Sequence, residues 1–83
     1  MRQEDISNLI ARAEEEIKKQ LDIIECAVVI RGQGVKVIIW QEIELYKEDL
    51  KKIRNILKKY FKIKQLVSIE LLNCSLILTY SIH

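Results

Sequence analysis

The 83 residues, 49% hydrophobic and 31% charged, have the profile of one folded domain rather than a disordered chain. No apolar run approaches the roughly 18 residues that cross a bilayer, and Met-Arg-Gln-Glu-Asp lacks the apolar core of a secretion signal, so the expected location is cytoplasmic with no membrane partner. The net charge of +2 conceals an uneven distribution: residues 1–25 hold four basic and seven acidic side chains, residues 46–64 eight basic and two acidic.

Residues 5–21 place Ile6, Leu9, Ile10, Ala13, Ile17 and Leu21 at the spacing of one helical face. Asp5 suits the N-cap, and Glu4 with Asp5 suits the positive end of the helix dipole. Lys18 and Lys19 suit the other end, and Glu14–Lys18 and Glu15–Lys19 are favourable pairs one turn apart.

Residues 24–31 and 35–43, rich in Val and Ile with one Trp, read as strands. Between them lie the chain's two glycines, in Arg-Gly-Gln-Gly-Val. A dinucleotide-binding loop needs a third glycine where Val37 stands and a helix after it, and here a second strand follows. The stretch is therefore a hairpin turn in which glycine permits positive φ.

A second helix is expected over 46–61, with Leu50, Ile53, Leu57, Tyr60 and Phe61 as its apolar stripe and no good N-cap residue at its start. Its cations are those of a solvated face beside the acidic first helix, or of a surface for an anionic partner. Runs 65–72 and 75–82 follow as strands around an Asn73-Cys74 loop.

The order αββαββ predicts a single α+β domain of two pseudo-repeats, about 1–43 and 44–83. An offset of 40 aligns Ala13 with Ile53 and Ile17 with Leu57 in the helices, and one of 39 aligns Val28 with Val67 in the strands. The pattern resembles a permuted ferredoxin-like sandwich, with two helices on one face of a four-stranded antiparallel or mixed sheet. That resemblance implies strand order 1-2-4-3, against the alternative of a plain meander. In element order it also resembles the small αββαβ modules that build rings in secretion and sporulation complexes.

Two-residue loops fix which side chains share a face. Cys26, Val28, Ile30, Val35, Val37 and Ile39 form one apolar set, continued by Val67, Ile69, Leu71, Leu76, Leu78 and Tyr80, and these are expected under the helices. The opposite face is expected to show Val29, Ile38, Trp40, Leu66 and Ile77 among polar groups, an apolar patch suited to a protein interface.

No catalytic constellation is visible. The one histidine, His83, lies about 30 Å along a strand from Cys74 at roughly 3.3 Å per residue, and Cys26 reads as a small core residue. Glu42 and Glu44 share one face of a strand end and read as solvated acids. No metal, cofactor or small-molecule substrate is expected, and two cysteines without CxxC spacing suit a reducing compartment.

The expected function is thus a non-enzymatic interaction or assembly module. It would form a homodimer or small homo-oligomer, or dock another protein, through the open sheet face or an edge strand. The alternative is an RNA-binding module using Lys47, Lys51, Arg54 and Lys58 of the second helix (with Lys62 and Lys64 beyond it) and Arg31 and Lys36 around Trp40.

Overall fold

The computed structural model describes residues 3–40 and 45–82. The elements are α1 (Gln3–Leu21), β1 (Cys26–Arg31), β2 (Gly34–Ile39), α2 (Lys47–Tyr60), β3 (Ile63–Leu72) and β4 (Ser75–Ile82). The chain is an α+β protein with a four-stranded, wholly antiparallel sheet in the order β1-β2-β4-β3. A meander would have placed β3 beside β2.

The start of α1 differs from the sequence expectation, whereas that of α2 falls within one residue of it. α1 already begins at Gln3, so Asp5 lies within the first turn rather than at the cap. α2 is capped from the inside: Tyr46 is the N-cap, and its backbone amide donates to Oδ2 of Asp49 at 3.0 Å. The start signal is thus the carboxylate three residues in, as in a capping box, rather than a side-chain bond from the N-cap residue.

One face of the sheet supplies the core. Cys26, Val28, Val35, Val37, Ile39, Leu76, Leu78 and Tyr80 are buried there and join Ala13 and Ile17 of α1 and Ile53, Ile56 and Leu57 of α2 in a single cluster. The small Ala13 and the stripe residue Ile53 are both fully buried, which fits helices meeting along their apolar faces. At the rim, Lys59 Nζ donates to Glu16 Oε1 at 2.7 Å. Part of the basic run is therefore answered by its acidic neighbour, and the Lys59 ammonium holds Glu16 below the usual carboxylate range.

Registers β1–β2 and β2–β4 follow the expected alternation, with Val28 opposite Val37 and Val37 opposite Leu78. β3 does not. Its register slips between Ile63 and Leu66 and again between Leu66 and Ser68. Each slip is a bulge, which puts an extra residue into the strand and breaks the period of two. Leu66, expected on the opposite face, therefore pairs with Tyr80 and packs against the core. The spacing between like-placed residues changes across the bulges. Ala13, Ile17 and Ile23 match Ile53, Leu57 and Ile63 at an offset of 40, and all six are buried. Beyond the bulges Val28↔Val37 corresponds to Ile69↔Leu78, an offset of 41 rather than 39.

The hairpin loops are Gly32-Gln33 and Asn73-Cys74. In each, the first loop residue has positive φ, +60° at Gly32 and +56° at Asn73. Glycine occupies this region without penalty and asparagine tolerates it best among the others. Gly34 has no such need; a Cβ there would meet the Tyr80 carbonyl oxygen at 3.4 Å, an ordinary contact. Gly32→Val should accordingly cost about 1–2 kcal/mol, and Gly34→Ala about 0.5 kcal/mol or less, as measured by urea denaturation.

Candidate functional site

None of the described residues on the face opposite the core is buried. Across it run two continuous rows. Ala27 lies opposite Ile38, Ile38 opposite Ile77 and Ile77 opposite Glu70; Val29, Lys36, Thr79 and Ser68 form the next. Ile38 and Ile77 thus touch as expected. Trp40 follows directly on buried Ile39, just past the end of β2, and is 50% exposed. Val29 is exposed as well, whereas Leu66 has left the set for the core side. In its place Leu72, opposite Ser75, brings an exposed apolar side chain to the same end of the sheet as Trp40.

The sheet's two edges differ. β1 is covered. Its Val28 amide, which points away from β2, donates to Oε2 of Glu14 at 2.8 Å, so a side chain of α1 occupies the place a further strand would take. Cys26 beside it directs its thiol to the Glu14 carbonyl oxygen at 3.6 Å.

β3 is left bare by simple lengths. At about 1.5 Å per residue α1 spans about 28 Å and α2 about 21 Å; at about 3.3 Å per residue β1 spans about 20 Å and β3 about 33 Å. α1 outreaches its strand, while β3 runs on past the start of α2. Ile69 and Leu71 lie on the core face opposite Leu78 and Leu76, yet they are 51% and 79% exposed. The expectation that they lie under a helix fails for that reason. Val67, at the second bulge, is also exposed.

No family model matches the chain, and no curated protein is similar to it.

The cations fall into two groups. Lys47, Lys51, Arg54 and Lys58 are exposed on α2, next to the core side of β3, whereas Lys36 stands on the opposite face and Arg31 at its turn. The sheet separates the α2 cations from the Trp40 face, so the two do not make one surface. Lys51 and Arg54 line a groove of about 180 Å³ together with Leu50, Gln65, Leu66 and Tyr80. Tyr80 is 1% exposed, and its hydroxyl has no hydrogen-bond partner among the described residues. Burial pushes that hydroxyl up to about 12, against a smaller opposing pull from Arg54. An apolar cleft of about 320 Å³ opens at the other end of the helices, among Ile6, Leu9, Ile30, Tyr60, Phe61 and Ile82.

No group of three metal-binding side chains occurs among the described residues. Glu42, Glu44 and His83 lie outside those residues. Cys26 is buried and Cys74 exposed at its turn, both as free thiols. No helix is long and apolar enough to cross a membrane.

Burial raises Cys26 to about 11, with Glu14 adding to the shift. A thiol reagent at neutral pH should label Cys74 in the native protein and Cys26 only after unfolding, a difference read by mass spectrometry. At neutral pH, Tyr80→Phe removes an unsatisfied buried hydroxyl and should leave stability unchanged or raise it by about 1 kcal/mol. In the unfolded chain this hydroxyl ionises near 10, and in the folded one near 12. Its stabilising contribution is complete below the first value and is lost as pH rises toward the second. Tyr80→Phe should therefore flatten that alkaline decline in denaturation curves.

Proposed function

We propose that the chain is a non-enzymatic interaction or assembly module, a two-layer αββαββ sandwich of permuted ferredoxin-like type. In this reading both helices serve one face of the sheet, and a protein partner or a second copy completes burial of the other. What carries it is the Ile38–Ile77 pair beside half-exposed Trp40, a cross-strand apolar patch with no helix over it. Tryptophan is among the side chains that contribute most at protein interfaces. Lys36 and Glu70 at the margins provide the polar rim.

Light scattering on the purified chain, wild type against Trp40→Asp, tests the reading. The expected result is a dimer or small oligomer whose dissociation constant rises at least about tenfold in the variant, the loss of one hot-spot side chain. Circular dichroism should remain unchanged, because Trp40 is half exposed and lies outside the buried cluster. A wild-type monomer that binds no protein through this face would overturn the reading. Salt-sensitive RNA binding abolished by Lys51→Glu with Arg54→Glu would favour the nucleic-acid alternative instead.

A further inference from the structure

The two halves of the molecule treat equivalent edge positions in opposite ways. At the offset of 40 that aligns the helices, Glu14 of α1 corresponds to Arg54 of α2. At the offset of 41 that aligns the hairpins, Val28 corresponds to Ile69. Glu14 satisfies the outward amide of Val28. Arg54 has no acceptor atom with which to do the same for Ile69.

The phase of the ladder shows which backbone groups are left. In an antiparallel hairpin with a two-residue loop, the pair flanking the loop is hydrogen-bonded and the next is not. The flanking pair here is Leu72↔Ser75, so the amide and carbonyl of Leu71, and then of Ile69, face away from β4. Val28, whose amide demonstrably points outward to Glu14, occupies the same phase in the first hairpin. The edge thus offers two residues' worth of backbone donors and acceptors, with the exposed side chains of Ile69 and Leu71 beside them.

Toward Leu66 the chemistry changes. The groove there has Lys51 and Arg54 on its helix wall and Tyr80 as its floor, with a buried hydroxyl that lacks an acceptor. We propose that the β3 edge receives an extended acidic segment of another protein as a fifth strand, apolar where it passes Ile69 and Leu71 and carboxylate-bearing where it reaches Arg54. In antiparallel alignment the partner's residues opposite 71, 69 and 67 point to the core side, which defines the pattern apolar-x-apolar-x-acid. The carboxylate pairs with Arg54 and accepts from the Tyr80 hydroxyl. A second copy of this chain suits the edge poorly, since pairing β3 with itself sets two strongly basic α2 helices side by side. The inference rests on the reading of this protein as a docking module, but on a different surface from Trp40.

The test uses the full chain and a fluorescein-labelled, end-capped peptide containing Ile-Thr-Ile-Thr-Glu, followed by anisotropy and by amide chemical shifts. Binding is expected, with shifts concentrated at residues 66–72. Replacing the peptide's glutamate by lysine, or Arg54→Glu in the protein, should weaken binding about fivefold or more, the size of one favourable ion pair. The lysine peptide should regain affinity for the Arg54→Glu protein. Tyr80→Phe, which keeps the fold, should also weaken the glutamate peptide, and Trp40→Asp should not. No binding at about 1 mM peptide, equal binding of both peptides, or shifts confined to β1 and the Trp40 face would overturn the inference. Loss of peptide binding with Trp40-dependent association intact would sink this proposal and leave the module reading standing.

Discussion

A pleated strand sends alternate side chains to opposite sides, and in this chain both sides of the central strands are oily. Val35, Val37 and Ile39 of β2 are wholly buried in one cluster with residues of both helices, and Leu78 of β4 with them. The same strands carry Ile38 and Ile77 on their other side, where nothing from the described chain covers them. Everything else in the structure follows from how far two helices can shield such a sheet. Removing apolar area from water is the dominant favourable term in folding, and the order β1-β2-β4-β3 puts at the centre the strands that bury Val35, Val37, Ile39, Leu76, Leu78 and Tyr80.

The shielding is unequal, and the inequality has a covalent origin. α1 has 19 residues beside a six-residue strand, and α2 has 14 beside a ten-residue one. The longer helix also brings Glu14 against the backbone of its edge strand, whereas the shorter presents Arg54. Packing, hydrogen bonding and charge therefore differ together between two halves whose buried positions correspond closely. The bulges of β3 belong to the same asymmetry: they turn Leu66 inward to Tyr80, and the strand beyond them extends past the helix that should have roofed it.

Much of this was legible in the residues. Helical periodicity located Ala13, Ile17, Ile53 and Leu57, all of which are buried. Alternation around the two-residue loops assigned the faces of β1, β2 and β4 correctly, because nothing interrupts the period there. It failed in β3 because a bulge changes parity without leaving a glycine or proline to announce it; Lys64, Gln65 and Val67 are ordinary strand residues. The offset of 41 differs from the expected 39 by two residues, an even shift that preserves the faces. The covered β1 edge was missed because Glu14 resembles any solvated helix acid until the strand amide it meets is known. A signal for the bare edge did exist in the relative lengths of the second helix and its following strand, and in the exchange of Glu14 for Arg54 at the repeat.

The Glu14–Val28 hydrogen bond has a bearing on the fate of the chain at high concentration. Sheets that lengthen without end do so by joining one molecule's first strand to the next molecule's last, and this requires both borders to be available. With a carboxylate seated on one border, any strand-to-strand joining stops after a single step. The Glu14 carboxylate thus leaves this sheet without the second open margin that end-to-end growth would need.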